Sequence, residues 1–182
     1  GFMNGCAWKE RVFVLGDSRT GTSSFHQLFL LAGLKSIHFY EEEAGMLPHV
    51  AGNHAENSRR LLRYIGNSGI QCFSDYPTRL YYKELHAAYP EALFILTKRV
   101  NVKVWCESML NYFDHITDID ELAFHYLRIN ADISRYFAAS GNFCEIAIDA
   151  PGFAGAFCRI KRHLRIDGDV EFPHVNRWQD KE

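Results

Sequence analysis

Gly16-Asp17-Ser18-Arg19-Thr20-Gly21-Thr22-Ser23-Ser24 combines two glycines, an arginine and a run of hydroxyl side chains at a spacing suited to holding an anion. In the Gly16-x4-Gly21 arrangement, a glycine-bearing turn that enters a helix presents several backbone N–H groups to one bound group. A nucleotide triphosphatase loop continues Gly-Lys-Ser/Thr, the lysine reaching the terminal phosphates and the hydroxyl holding magnesium. Here Thr22 stands in the place of that lysine. The backbone cradle survives the change, and the point charge used in phosphoryl transfer from ATP does not. Thr20, Thr22, Ser23 and Ser24 supply hydroxyls instead, and Arg19 brings a planar fork of donors that can engage an oxyanion bidentately. The plain alternative is a strand-to-helix turn whose Ser and Thr only cap the helix. Capping alone does not call for glycine, arginine and hydroxyls together.

Other chemistry-bearing residues are sparser. The histidines form no His-Glu-x-x-His set and the cysteines no Cys-x-x-Cys pair, so no metal site is expected, with His49 and His54 the nearest approach to one.

A loop of this kind needs a strand before it and a helix after it. Arg11 to Gly16 is a short apolar run ending in glycine, which predicts a buried strand. Phe25, Leu28, Phe29 and Ala32 recur at helical spacing up to Gly33, which predicts a helix that stops there. The alternation continues: strand Ile37 to Tyr40, helix Ala55 to Ile65, strand Ile70 to Ser74, helix Arg79 to Ala88 and strand Ala92 to Thr97. Helices near Val102 to Tyr112 and Asp120 to Ala139, strand Phe143 to Ile148 and helix Gly155 to Leu164 complete it. This order predicts a three-layer α/β/α fold with a central parallel sheet and right-handed crossovers. Glu41 to Asn57 is the least regular stretch and is read as a candidate lid. Asp167 to Glu182 is read as a surface coil anchored by Phe172, Pro173 and Trp178.

The chain has 182 residues, 47% of them hydrophobic, which suits one domain over residues 1–182, with 1–10 as an N-terminal extension. A net charge of -2 supplies no basic field, so no nucleic-acid partner is expected. No apolar stretch reaches the ~20 residues needed to span a bilayer. Five scattered cysteines, Cys6, Cys72, Cys106, Cys144 and Cys158, and the lack of a leader-like start predict a reducing, cytoplasmic location.

Ser18-Arg19-Thr20-Gly21-Thr22-Ser23-Ser24 resembles the nucleotide loop of the P-loop sulfotransferases, Pro-Arg/Lys-Thr/Ser-Gly-Thr-Thr/Ser-Ser, at all but the first position. A second block, Tyr89 to Arg99 and on through Trp105 to Ser108, is similar to the family segment in which a strand ends in arginine and the next helix carries a serine. Phe172-Pro173-His174-Val175-Asn176 is similar to a stretch near the carboxyl end of many members. The chain departs from the family in three ways. Val100-Asn101 follows the arginine in place of Asp/Asn-Pro, Ser108 lies nine residues on rather than eight, and the Arg-Lys-Gly segment has no counterpart.

The resemblance implies a P-loop nucleotide-binding fold and transfer of a sulfuryl group from 3'-phosphoadenosine 5'-phosphosulfate (PAPS) to a hydroxyl or amine of a small-molecule or glycan acceptor, without a metal. It assigns the 5'-phosphosulfate to Ser18, Arg19, Thr20, Gly21, Thr22, Ser23 and Ser24, with Arg19 also serving catalysis, and the 3'-phosphate to Arg99 and Ser108, Lys98 being the alternative cation. Trp105 is expected to fill the core. In the place of the family's catalytic histidine, two residues before a proline, stands Asp75, the first candidate base. An Asx turn is the competing role for Asp75. His54, His49 and Glu41 to Glu43 follow as candidates. Two other functions stay open: a non-catalytic anion- or nucleotide-binding module, and an atypical nucleotide kinase or triphosphatase using Asp75 or Asp149 for magnesium.

Overall fold

The computed structural model describes residues 8–175. Its elements run β1 (Val12–Val14), α1 (Thr22–Leu31), β2 (Ser36–His38), α2 (His54–Ser68), β3 (Cys72–Ser74), α3 (Tyr82–Ala88), β4 (Leu93–Lys98), α4 (Val102–Tyr112), α5 (Ile119–Tyr136), β5 (Phe143–Ala147) and α6 (Phe153–Leu164). Single 3-10 turns precede α2 and α3. The five strands form one sheet in the order β2-β3-β1-β4-β5, and every neighbouring pair is parallel. The chain moves from β1 to one side of the sheet for β2 and β3, then to the other for β4 and β5. The reversal opens a crevice beyond the carboxyl ends of β1 and β4, where open parallel sheets receive ligands.

Strand alternation distributes the core. Val12 and Val14 point to one face, packing with Phe25, Leu28 and Phe29 of α1 and with Phe157, Ile160 and Leu164 of α6. Phe13 and Leu15 point to the other, packing with Leu61 and Ile65 of α2, Leu85 of α3 and Ile133 and Phe137 of α5. Helices therefore cover both faces, as the alternating pattern predicts. Phe13 lies between Phe73 and Phe94, with ring centroids 5.6 and 5.3 Å away. Burying each such side chain favours the fold by about 1.5–3 kcal/mol. A smaller cluster joins Trp105, Cys106 and Met109 of α4 to Tyr126 of α5.

One expectation changes. The stretch from Glu41 to Asn57 is not a loose loop: Tyr40 just before it and Ala44 within it are buried, and α2 begins at His54. Asn57, inside that helix and fully buried, accepts a hydrogen bond from the Leu47 amide and donates one to the Leu47 carbonyl. Nothing in this stretch lines the cavity beside the loop at residues 16–24. The tail is anchored at Phe172 as expected: its ring is buried and packs edge-on against Phe25, Phe153 and Phe157. Trp178 and Asn176 lie outside the described residues. Among the described cysteines, Cys72 and Cys106 are buried free thiols, whereas Cys158 is exposed.

Among the described residues no helix is long and apolar enough to cross a membrane. No group of three or more His, Cys, Asp or Glu among them is placed to hold a metal ion.

Candidate active site

The loop expected to hold an anion forms the floor of a cavity of about 690 Å³. Gly16 is required at its start because a β-carbon there would lie 1.6 Å from Thr97 Oγ1 on β4. The close approach lets the loop turn directly over the sheet. Gly21 ends the loop at φ 92 and caps α1 with no side-chain hydrogen bond, so the first amides of the helix face outward with the positive end of its dipole. A side chain at Gly21 would meet left-handed strain and Ile148 Cγ2 at 2.9 Å.

The hydroxyls divide their work. Thr20, fully buried, donates to the Asp17 carbonyl at 2.6 Å and meets Thr97 Oγ1 at 2.8 Å. It ties the loop to β4 and does not line the cavity, contrary to the expectation that it faces the anion. Ser18, Thr22, Ser23 and Ser24 do line it, and Ser24 Oγ also accepts from the Val175 amide at 3.1 Å, bringing the tail back over the loop. Trp105 stacks on Tyr126 at 3.9 Å and donates through Nε1 to the Ser18 carbonyl at 3.0 Å. It is a core residue, as expected, and also a strut beneath the cradle.

Two arginines share the cavity wall. Arg99, just past β4, donates through Nε to the Arg19 carbonyl at 2.9 Å. Arg19 donates through Nε to Ser108 Oγ on α4 at 3.0 Å and lies 4.7 Å over the Tyr112 ring. Burial first, then the neighbouring Arg99 guanidinium, lowers the Arg19 pKa from its ordinary value. An anion arriving between the two cations offsets that repulsion. Ser108 is therefore brought to the cradle through Arg19 and is not part of the cavity wall. Lys98 pairs instead with Glu145 at 2.8 Å, which leaves Arg99 as the cation on this side of the loop.

Asp75 stands on the opposite side, beyond β3. Its Oδ1 accepts from the Tyr76 amide at 2.7 Å and from Ser18 Oγ at 3.4 Å. Its Oδ2 accepts from Thr22 Oγ1 at 3.3 Å and lies 3.2 Å from His38 Nε2. The bond to the Tyr76 amide reaches only the next residue, and Pro77, two residues on, has no N–H with which to close an Asx turn; the side chain lines the cavity. Behind it, Asp17 is held by the Ser18 amide and the Tyr76 hydroxyl, with Arg79 Nε at 3.6 Å. Burial raises the Asp17 pKa against the lowering effect of Arg79.

His38 is the site residue that pattern reading missed. It ends β2 within reach of Thr22 Oγ1 at 3.1 Å and Ser23 Oγ at 3.4 Å. The available signal was position: a histidine at the carboxyl end of a strand in an open parallel sheet. The histidines expected instead go elsewhere. His49 pairs with Glu41, His54 pairs with Glu84 and stacks on Tyr81, and neither they nor Glu41 to Glu43 reach the cavity. Asp149 does line the cavity, but both its oxygens accept backbone amides, from Val100 and Asn101.

Backbone strain marks the same place. Arg19, Phe39 and Asp75 take left-handed φ values of 65, 51 and 66, and all three line the cavity. Such conformations cost non-glycine residues of the order of 1–3 kcal/mol each and cluster at functional sites.

No curated protein matches this chain. A family-wide profile described as a sulfotransferase domain matches residues 11–151, from the start of β1 past the end of β5. That span covers the loop, Asp75, Arg99 and Ser108, the residues the structure gathers around one crevice. The chain thus belongs to the sulfotransferase domain family, whose chemistry is sulfuryl transfer.

Proposed function

We propose that the protein transfers a sulfuryl group from PAPS to a hydroxyl or amine of a small-molecule or glycan acceptor, and that one domain carries the activity. The observation that carries this reading is the pairing of the lysine-free loop with Arg99 across one cavity. An anion at the loop and a second anion at Arg99 suit a nucleotide phosphorylated at both its 5' and 3' positions, and give a nucleoside triphosphate no lysine for its terminal phosphate.

The residues present fit such a donor. Gly21 holds the left-handed turn at the cavity wall, and the α1 amides, the hydroxyls of Ser18, Thr22, Ser23 and Ser24, and Arg19 form a donor set for the sulfate and 5'-phosphate oxygens. When bound, the co-substrate supplies an activated sulfuryl group. The chain's own groups stabilise the charge that spreads onto non-bridging and leaving oxygens during transfer, in the manner of phosphoryl-transfer sites. Arg19, oriented by Ser108, and the α1 amides serve the 5' end, and Arg99 serves the 3' end. Asp75 places proton-accepting chemistry on the β2–β3 side, opposite Arg99. The acceptor therefore approaches from that side.

Calorimetric titration with 3'-phosphoadenosine 5'-phosphate, ATP with magnesium, and inorganic phosphate tests the reading. Tightest binding of the bisphosphate is expected. Binding of ATP-magnesium alone would assign the site to a triphosphatase or kinase.

A further inference from the structure

We propose that His38 is the group that takes the acceptor's proton, and that Asp75 acts through it as a positioning residue. The inference rests on the sulfuryl-transfer reading above and names the base within that same site.

The geometry separates the two side chains. Asp75 is almost fully buried, and each of its oxygens is within reach of two donors of the chain itself, so its lone pairs are committed before any acceptor arrives. The His38 side chain is 24% exposed and lines the cavity. The register aligns them: β2 and β3 pair with His38 opposite Ser74, the Phe39 amide donates to the Ser74 carbonyl at 3.0 Å, and Asp75 is the next residue. Left-handed turns at both Phe39 and Asp75 end the two strands together. His38 Nε2 then sits 3.2 Å from Asp75 Oδ2 and 3.1 Å from Thr22 Oγ1, at the first turn of α1.

A buried carboxylate against one ring nitrogen fixes the neutral tautomer, leaves a lone pair on the other nitrogen, and stabilises the imidazolium once formed. With Nε2–H donating to Asp75, Nδ1 carries that lone pair. In the transfer step the acceptor oxygen bonds to sulfur while the bond from sulfur to the 5'-phosphate oxygen breaks. The electron pair leaves with the phosphate, and the acceptor proton passes to His38 Nδ1. No further reactant is needed. The titratable groups facing His38 are Asp75 beyond β3 and His26 on α1, whose ring is 5.8 Å away. Asp17 lies behind Asp75. Burial first, and His38 second, lower the His26 pKa, which favours a neutral His26 beside the reacting ring.

The test uses the full chain with PAPS as donor and water as acceptor, read as sulfate release over a range of pH, alongside calorimetry with 3'-phosphoadenosine 5'-phosphate. Wild-type kcat is expected to fall on acidification. His38→Gln is expected to lower kcat about a hundredfold or more and to abolish that acidic limb, while affinity for the bisphosphate stays within about twofold. A His38→Gln enzyme with wild-type kcat and an unchanged pH profile would overturn the inference while leaving the transfer reading intact. Failure of the wild type to bind the bisphosphate or to release sulfate overturns the transfer reading and this inference with it. Ring-nitrogen NMR of the wild type is independent of variant folding and of turnover. It is expected to show neutral His38 protonated at Nε2, and a proton at Nδ1 would contradict the assignment.

Discussion

Arg99 Nε donates to the main-chain oxygen of Arg19 at 2.9 Å, so the cation that follows β4 is fastened to the middle of the loop that follows β1. The contact sets the separation between the two cationic parts of the cavity. It also makes Arg19, left-handed at φ 65, a jointly held residue rather than a free loop tip.

Removing that guanidinium should cost affinity selectively. Arg99→Ala is expected to weaken 3'-phosphoadenosine 5'-phosphate by roughly 10- to 100-fold, the range for losing a charge-assisted hydrogen bond of about 1.5–3 kcal/mol. Adenosine 5'-phosphate should lose less. Equal losses for the two nucleotides, measured by calorimetry, would remove Arg99 from the 3'-phosphate.

Trp105 supports the loop from beneath without lining the cavity. Trp105→Phe keeps a ring against Tyr126 and deletes the donor to the Ser18 carbonyl, so stability should fall by about 1–3 kcal/mol in a urea titration. Bisphosphate affinity should drop with it. Unchanged affinity would show that the loop holds its shape without this strut.

The tightness of the floor has its own consequence. A methyl group at Gly16 collides with Thr97 and Thr20, and overpacking of this kind costs about 1–3 kcal/mol. Gly16→Ala should therefore lower the thermal midpoint, and the same change at Gly168, where nothing lies within 4 Å of an added β-carbon, should leave it nearly unchanged. Equal midpoints for the two variants would contradict the close approach of β1 and β4.

Stability should also depend on pH through His163, away from the site. Its Nε2 is buried without a hydrogen-bond partner, its ring lies 4.9 Å from Trp8, and burial lowers its pKa from 6.5. A base with a depressed folded pKa takes its proton more readily in the unfolded chain. Its contribution is intact above pH 6.5 and is lost as pH falls toward the folded value. The urea midpoint should decline between neutral and mildly acidic pH, and His163→Phe should flatten that slope. An identical slope in the variant would exclude His163 as a source.

Much of this molecule was legible from residue types, in identifiable places. The Gly16-x4-Gly21 spacing, the apolar run before it and the helical repeat after it led to the strand, loop and helix that the structure contains, because buried strands and glycine turns are local matters. The α4 boundaries, Val102–Tyr112, coincide with the helical pattern. What local pattern could not reach was side-chain direction. Thr20 faces inward and Ser24 takes a tail amide because β4 and Phe172, distant in sequence, press on the loop. His38 escaped notice because its partner, Asp75, is joined to it by strand register rather than by spacing. His49 and His54 stood in an irregular segment that could have faced the site, yet Glu41, Glu84 and Tyr81 hold them outside the cavity.

The most direct test of the account is a crystal structure of the protein with 3'-phosphoadenosine 5'-phosphate. The 5'-phosphate is expected on the loop amides and the hydroxyls of Ser18, Thr22, Ser23 and Ser24, and the 3'-phosphate on Arg99, with the β2–β3 side beside His38 and Asp75 left open. A nucleotide bound in the opposite direction, or outside this crevice, would contradict it.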